Sequence, residues 1–296
     1  MSTLAPIILF VYNRPEHTKR TIESIAKNTL ADKSSLYIFS DGPQDEKDKS
    51  EVEAVRKYIY KISGFNKIGI LEREKNLGLA NSIINGVSEI FKRYNKAIVM
   101  EDDMISSPFF LKYINELLNR FENDQRIFSV TGYTFPIKIP EDYKHPLYLS
   151  PRSSSWGWGT WKNRWQKADW DLKDIDDLTN DKLRVESFNK GGEDLMGMLK
   201  NSIEGKIDSW SIRWTYSHFL NDAFCVYPVK SRIQNIGTDR SGVHTSKTKK
   251  FDVELELNDV DLSQISDLQP DEELLKNFRK FFKKNIFTSL LQKLKS

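Results

Sequence analysis

Residues 97–103, with the sequence AIVMEDD, constrain this chain most, because an apolar run leads directly into three acidic side chains. A run of this kind, bounded by polar sequence, predicts a strand that is buried on both faces. Ligands bind at the carboxyl edge of such sheets. Two unit charges about 4 Å apart repel by roughly 4 kcal/mol at an effective dielectric near 20. We therefore expect a cation beside Glu101, Asp102 and Asp103, and carboxylates suit Mg²⁺ or Mn²⁺.

A plainer interpretation of the acidic triplet is a solvated turn in which Asp103 or Ser106 caps the next helix. A cap requires one acid, whereas three follow this buried strand. The metal site is therefore the preferred hypothesis.

The composition limits the class of protein. The chain has 296 residues, of which 39% are hydrophobic and 12% aromatic, enough for a substantial core. Its one cysteine, Cys225, excludes an internal disulfide and fits a reducing compartment. A net charge of +3 does not favour nucleic acid as a partner. No run of 18 apolar residues is present, and the short run at 7–12 predicts a strand rather than a signal peptide.

Strand and helix signals alternate through the first hundred residues. Strands are predicted at 6–12, 36–39, 67–71 and 97–103, with amphipathic helices between them. This alternation is typical of a parallel sheet with right-handed crossovers. The turns at Asn13, Asp41 and Asn76 then share one edge with the acidic triplet. We assign residues 1–250 to one α/β domain and 251–296 to a C-terminal extension.

No glycine-rich phosphate loop accompanies these turns. The chain contains neither G-x-G-x-x-G nor G-x-x-x-x-G-K-[ST]. A nucleoside diphosphate held through a metal remains compatible with the pattern. Asp41 could accept hydrogen bonds from a base, and Arg14 could reach base or phosphate. The alternatives are a turn residue for Asp41 and a surface charge for Arg14.

Four segments together resemble the motif order of GT-A glycosyltransferases. They are VYNR at 11–14, FSDG at 39–42, NLGLA at 76–80 and VMEDDMISSPFF at 99–110. The likeness is to bacterial family 2-type sugar transferases and to the Golgi N-acetylglucosaminyltransferase that starts complex N-glycans. It covers about residues 6–246.

This resemblance implies a Rossmann-like, mostly parallel sheet flanked by helices. It also implies a reaction, the metal-dependent transfer of a sugar from a UDP-linked nucleotide-sugar with inversion. The acidic triplet corresponds to the family's DxD motif, so Asp103 would bind Mn²⁺ or Mg²⁺. Glu101 and Asp102 would contact sugar or ribose, and Asp41 and Arg14 the base. Asn13 and Asn76 would border the donor.

Two other functions stay open at this point. A nucleotidyltransferase would share the sheet but should carry a glycine-rich basic loop after the first strand, unlike Asn13-Arg14-Pro15. A non-catalytic carbohydrate- or lipid-binding protein would keep the fold without turnover. The expected acceptor for a transferase is a glycan or a lipid-linked sugar in polysaccharide or glycoconjugate assembly.

All seven tryptophans lie between residues 156 and 214. Indoles stack on sugar rings, but they also build dense aromatic cores, and for most of them the core is preferred. The resembled family has a Gly-x-Gly-Trp segment beside the donor sugar. Trp158 is therefore the expected contact.

The resemblance also suggests the catalytic base. An acid opens the helix that begins near residue 208, and Asp208 would be the general base as well as a suitable N-cap. Ser209 stands where the family has a second acid, so Glu193 and Asp194 are alternatives. Residues 171–205 are predicted to be a polar surface excursion. His244, in the loop at 231–244, would complete the metal or diphosphate site.

The C-terminal extension divides by charge. Residues 251–257 alternate apolar and acidic side chains, which predicts a half-buried strand. From Lys276 onward there are only bases among the charged residues, with apolar residues at helical spacing. Either this amphipathic helix docks on the core or it lies on anionic lipid. We favour the lipid surface, which predicts a cytoplasmic protein peripheral to the membrane.

Overall fold

A twisted eight-stranded sheet forms the centre of the protein. The computed structural model describes residues 3–173, 175–238, 248–263, 265 and 267–283. The strands of the large sheet lie in the order β3-β2-β1-β4-β8-β6-β9-β7, and β5 and β10 form a small second sheet. The strands are β1 (Ile7–Val11), β2 (Ser35–Ser40), β3 (Lys67–Glu72), β4 (Lys96–Glu101), β5 (Met104–Ser106), β6 (Ile127–Thr131), β7 (Leu147–Ser150), β8 (Trp158–Trp161), β9 (Phe224–Pro228) and β10 (Ile233–Asn235).

The first four strands confirm the predicted parallel sheet. β1 pairs in parallel with β2 on one side and β4 on the other, and β3 pairs in parallel with β2. Every residue of β1 is buried, so the strand is apolar throughout and does not alternate with polar residues. The carboxyl ends of these strands meet at one edge. That edge carries Arg14, Asp41 and the acidic triplet.

Helices cover both faces of the sheet. Ile7 and Leu9 of β1 pack into a cluster with α1, α2 and α4, whereas Ile8 and Phe10 pack on the opposite face with α3 and α9. The helices are α1 (Pro15–Ala26), α2 (Lys49–Ile59), α3 (Leu79–Ile90), α4 (Phe110–Arg120), α5 (Lys162–Trp165), α6 (Ile175–Thr179), α7 (Lys182–Phe188), α8 (Leu195–Ile203), α9 (Trp210–Leu220) and α10 (Glu272–Phe281).

Strand β8 was not predicted from the sequence. It runs antiparallel between β4 and β6, with Trp158 opposite both Val99 and Thr131. Its four residues are all buried, and a segment this short has no usable periodicity. Glycine suits position 159 because any Cβ there would lie only 3.2 Å from the Ala97 carbonyl oxygen, which is an unusually close contact. Because β8 runs antiparallel to β4, the residues that precede β8 lie beyond the carboxyl end of β4.

The predicted surface excursion at 171–205 is wrong. Three helices, α6, α7 and α8, form a separate cluster in which Leu178, Phe188 and Leu199 pack against Ile212 and Tyr216 of α9. The apolar residues in this segment are sparse but lie on the inward faces of short helices. Burial of that face, rather than the average polarity, determines the structure.

The predicted strand at 251–257 is also wrong. Its residues have no regular structure, and the described part of 248–271 runs as an extended strap across α4 and the second half of the sheet. The strap is held by hydrogen bonds and ion pairs with residues of α4 and of the segments around β6, β9 and β10. They join Tyr133 to the Phe251 carbonyl, Lys230 to Glu256, Arg232 to the Asn258 carbonyl, Lys112 to Asp259, Arg120 to the carbonyls of Leu262 and Ile265, and Arg126 to Asp267.

The C-terminal helix α10 docks on the core. Leu274 and Phe278 are 0% and 1% exposed, and with Phe282 they pack against Tyr148 and Tyr227. Asp271 caps the helix by accepting a hydrogen bond from the Leu274 amide at 2.8 Å. Our preference for a lipid-facing helix is therefore wrong for 276–283, because their apolar face is occupied by protein. Residues 284–296 lie outside the described part of the chain.

Across the described ranges, no helix combines the length and apolarity needed to cross a bilayer.

His218, on α9, is a buried and neutral histidine. Its Nδ1 lies 2.8 Å from the Trp214 carbonyl oxygen and its Nε2 lies 2.8 Å from Ser129 Oγ. Because the carbonyl can only accept, Nδ1 carries the hydrogen and Nε2 accepts from the serine hydroxyl. Burial lowers the pKa of His218 to about 4, against the opposing effect of the Trp214 carbonyl.

This buried histidine predicts acid sensitivity. Above pH 6.5 the ring is neutral in both states, but between pH 6.5 and about 4 only the unfolded chain gains the proton. The free energy of unfolding should therefore fall with falling pH, by up to about 1.4 kcal/mol per pH unit from this group. Urea unfolding across that range should show a shallower pH dependence for His218→Gln. The exposed control His145→Gln should keep the wild-type slope, and equal slopes in all three proteins would contradict the assignment.

Candidate active site

Arg14 and the acidic triplet form the centre of the site. Arg14 follows β1 and donates to Asp102 and, through Nη1 at 3.1 Å, to Asp103 Oδ2. Both carboxylates are nearly buried, at 3% and 8% exposed. Neither is a helix cap, because α4 begins at Phe110 with no side-chain cap. The solvated-turn alternative is therefore excluded.

The charge of the triplet is only partly compensated. Burial raises the pKa of Glu101 to about 8, the Asp103 charge adds to this, and Arg14 opposes it. Burial also raises the pKa of Asp103, again against the opposing charge of Arg14. For Arg14, burial works against the charged form, but Asp102 and Asp103 outweigh it and raise its pKa. The raised pKa values of Glu101 and Asp103 mean that Arg14 alone does not offset the cost of negative charge in this cluster, so a further cation would be favourable there.

The atoms of this cluster fit a hard divalent ion. Asp102 Oδ2 is buried and has no hydrogen-bond partner among the described residues. Carboxylate oxygens are the ligands that Mg²⁺ and Mn²⁺ prefer. Within the described ranges no three His, Cys, Asp or Glu side chains group as a complete metal cage. The predicted ligand His244 lies outside the described residues.

The small sheet brings a glycine against Asp103. β10 pairs with β5 so that Asn235 lies opposite Met104, and the Ile236 amide donates to the Asp103 carbonyl at 2.8 Å. A Cβ on Gly237 would lie 2.1 Å from Asp103 Oδ2 and 3.1 Å from Arg14 Nη1. The segment that follows β10 therefore packs directly on the acidic cluster.

Asp41 and Asn76 build the turn next to the site. Both Asp41 carboxylate oxygens lie 3.1 Å from the Leu77 amide, and Oδ1 also accepts from the Gly42 amide. Asn76 donates to the Gly42 carbonyl and accepts from the Gly78 amide, each at 2.9 Å. These contacts give both residues a structural role in joining the β2 and β3 turns. The predicted contact of Asp41 with a nucleotide base stays a prediction.

Asn13 is oriented by a residue that the sequence analysis did not select. Its Nδ2 donates to Asp48 Oδ1 at 3.0 Å, and Tyr12 donates to the other oxygen of Asp48. Asp48 immediately precedes α2. It lies in a charged segment, and nothing in the sequence distinguishes it from the acids around it. Asn235 and Gly237 were also missed as neighbours of Asp103. The glycines of the 231–244 loop were the available signal for that contact.

Asp208, from the segment before α9, contacts the edge of the sheet that carries the acidic triplet. Its Oδ2 accepts a hydrogen bond from the Ala80 amide at 3.3 Å, at the start of α3. The side chain is exposed. It does not cap its own helix, because α9 begins at Trp210 with Ser209 as the N-cap residue and no side-chain cap. Asp208 instead links the N-terminus of α3 to the segment before α9.

The alternative bases are engaged elsewhere. Asp194 forms two hydrogen bonds with Arg152, at 2.7 and 3.1 Å, which occupy both of its oxygens. Glu193 lies 3.5 Å from Arg279 of α10. Among these three acids, Asp208 is the one that contacts the turns around the acidic triplet.

Trp158 does not reach this surface. It is 0% exposed and lies between Trp165 and Trp210, with ring centroids 5.8 and 5.1 Å away. Trp158 was the one tryptophan expected to contact the donor sugar, and the structure instead buries it in the aromatic core that was preferred for most of the others. Trp156, two residues earlier, is only partly buried.

The sequence matches the family model "Glycosyl transferase family 2" over residues 7–180. This range contains the sheet edge, Arg14, the acidic triplet and the Asp41 turn. The chain belongs to glycosyl transferase family 2, and its large central sheet flanked by helices agrees with the GT-A type α/β fold that the sequence implied.

Particular relatives are more distant. The chain is 23% identical over 206 residues to an Arabidopsis thaliana alpha-1,3-mannosyl-glycoprotein 2-beta-N-acetylglucosaminyltransferase, covering 64% of this chain and 44% of that protein. It therefore spans under half of that relative's length. S. aureus TarS 1-349 in complex with UDP has a TM-score of 0.45 and 13% identity, over 78% of this chain and 59% of that one. A Pyrobaculum calidifontis mannosyltransferase in complex with GDP-Man and Mn²⁺ has a TM-score of 0.37 and 12% identity, over 55% and 48%.

The close approach of Gly237 gives a direct test of the cluster. A Gly237→Ala substitution places a methyl group where Asp103 Oδ2 now lies, so the carboxylate must move. The sequence analysis predicts metal-dependent UDP binding at this edge. Measured by calorimetry, that binding should weaken at least about tenfold, which is about 1.4 kcal/mol. Gly197→Ala is the matched control, since a Cβ there meets nothing within 4 Å. If Gly237→Ala bound UDP with wild-type affinity, UDP binding would not depend on the present position of the Asp103 carboxylate.

Proposed function

We propose that the protein transfers a sugar, with inversion, from a UDP-linked donor to a hydroxyl of a glycan acceptor in a metal-dependent reaction. One observation carries the proposal. In a family 2 glycosyltransferase, Arg14 holds Asp102 and Asp103 together at the sheet edge that Asp208 also reaches. This arrangement provides an anionic metal-binding centre and a separate exposed carboxylate beside it.

Asp103 and Asp102 are the proposed ligands for Mn²⁺ or Mg²⁺, with His244 as an additional candidate. The metal, when bound, supplies positive charge that stabilises the departing diphosphate. Arg14 adds a second, fixed positive charge at the same place. Glu101 is the proposed contact for sugar or ribose. Asp41, Asn13 and Asn76 shape the turns that receive the nucleotide.

Asp208 is the proposed general base. The acceptor oxygen attacks the anomeric carbon as the bond to the diphosphate oxygen breaks, and the hydroxyl proton passes to Asp208. One oxygen of its carboxylate is already oriented by the Ala80 amide at 3.3 Å. A base held in this way keeps its direction without being buried.

Two alternatives differ in what they predict. A carbohydrate-binding protein without turnover would release no UDP from UDP-sugars, whereas the proposed enzyme should do so in the presence of acceptor. A lipid-linked acceptor at the cytoplasmic membrane face would need a contact other than the apolar side of α10, which packs on protein. For this reason the proposal takes a glycan as the acceptor.

Asp103→Asn should abolish the metal dependence of donor binding. The substitution removes one carboxylate charge but leaves Asp102 paired with Arg14, so the fold should persist. Calorimetric titration of UDP with and without Mn²⁺ measures the effect, and thermal unfolding checks the fold. Asp177→Asn, an exposed acid on α6, is the control that should bind UDP as the wild type does. Unchanged Mn²⁺-dependent affinity in Asp103→Asn would exclude Asp103 as a ligand.

Asp208→Asn should lower kcat about 10²- to 10⁴-fold, the usual effect of losing a general base, with UDP affinity nearly unchanged. Asparagine can still accept the hydrogen bond from the Ala80 amide, so the start of α3 should remain intact. Asp208→Ala removes that bond as well and should add a loss of stability. If Asp208→Asn turns over UDP-sugar within a few-fold of wild type, Asp208 only links the two elements.

A further inference from the structure

A cavity lies at the start of α9, and none of the residues proposed to hold the donor lines it. It has a volume of about 180 Å³. We call it the Trp156 pocket; its walls include Ser155, Trp156, Ser211, Thr215, Phe251 and Phe282. A cavity of this volume has room for a small molecule such as a single sugar ring.

The pocket opens at the catalytic edge of the sheet. Ser155 and Trp156 precede β8, which runs antiparallel to β4, so they lie beyond the end of β4 that carries the acidic triplet. The Trp156 carbonyl accepts a hydrogen bond from Thr131 Oγ1, at the end of β6, at 3.1 Å. Ser211 lies in the first turn of α9, three residues after Asp208. One wall of the pocket therefore belongs to the helix that begins two residues after the proposed base.

The side chains that line the pocket favour a neutral, polar ring as the ligand. Arg152 is the only charged residue among the described lining residues, and both oxygens of Asp194 already neutralise it. Its guanidinium also stacks on Phe282, 3.7 Å from the ring centroid. The remaining walls are serine and threonine residues, aromatic side chains and the apolar side chains of Leu195, Met198 and Ile212. Hydroxyls that exchange hydrogen bonds and faces that stack on C–H groups fit a sugar, whereas a phosphate would need an unpaired cation.

The C-terminal part of the chain completes this pocket. Phe251 from the strap meets Trp156 edge to face, with centroids 5.6 Å apart. Phe282, which follows α10, packs on Phe135 at 4.8 Å. Both residues lie outside the 7–180 range of the family match. The strap and α10 thus supply two aromatic walls that the family domain alone does not contain.

We propose that the Trp156 pocket binds the neutral sugar ring of the acceptor and that the strap and α10 determine which acceptor is accepted. This rests on the proposed function, because it assigns the pocket to the second substrate of that reaction. A ring held here brings its hydroxyls toward Asp208. The C-terminal extension is then a specificity element and not a membrane anchor over its described residues.

The test uses the full chain and methyl glycosides of glucose, galactose, mannose and N-acetylglucosamine as probes. Saturation-transfer NMR measures their binding with and without UDP and Mg²⁺. Ser211→Leu places a larger apolar side chain in the pocket. Its matched control is Ser50→Leu, because Ser50 is likewise the second residue of a helix but is exposed and lies outside the pocket. We expect at least one glycoside to bind the wild type and Ser50→Leu equally, and to bind Ser211→Leu at least about tenfold more weakly.

A second pair of variants tests the C-terminal wall. Phe282→Leu removes an aromatic face from the pocket, whereas Phe278→Leu makes the same change in the same buried cluster outside it. Glycoside binding should fall in Phe282→Leu and persist in Phe278→Leu. Thermal unfolding shows whether each variant is folded.

The outcomes separate this proposal from the proposed function. Absence of glycoside binding to the wild type, or undiminished binding to Ser211→Leu, would overturn the acceptor pocket. UDP should bind all five proteins alike with Mg²⁺. If UDP fails to bind the wild type while a glycoside binds in the pocket, the donor assignment is wrong and the sugar pocket stands.

Discussion

The pairing of Arg14 with Asp102 and Asp103 is the interaction on which the site depends. Three consecutive carboxylates end a strand that is buried on both faces, and their mutual repulsion would oppose folding without a positive charge nearby. Arg14 supplies that charge from the end of the neighbouring strand β1, 89 residues away from Asp103 in the chain. The pair therefore connects the sheet topology directly to the chemistry. It also leaves an excess of negative charge, which is the property that a divalent ion requires.

Around this pair, the polar side chains at the sheet edge hydrogen-bond to the backbone or to one another. Asp41 and Asn76 bind amides and carbonyls of each other's turns, Asp48 orients Asn13, and Asp208 binds the start of α3. These contacts hold the loops of a catalytic edge in place before a ligand arrives, which reduces the cost of ordering them on binding. A residue in such a network can thus be structural and functional at once.

The C-terminal extension shows where local patterns mislead. Its acidic half alternates like a strand, yet it binds as an irregular strap, because basic side chains of α4 and the second half of the sheet lie where its acids can pair with them. Its basic half has the pattern of an interfacial helix, yet Phe278 and Phe282 enter the core beside Tyr148 and Tyr227. An amphipathic face requires an apolar partner, and the sequence does not say whether lipid or protein provides it.

The sequence by itself determined the parallel half of the sheet and the position of the acidic triplet at its carboxyl edge, because buried parallel strands are continuous apolar runs and their ends must lie together. Only the tertiary structure decided which residues meet across long separations. It placed Arg14 on Asp103, Gly237 against that carboxylate, Trp158 in the core and Trp156 in a pocket with Phe251 and Phe282. Such contacts depend on chain crossings and on packing between distant segments, and neither leaves a periodic signal in the residues themselves.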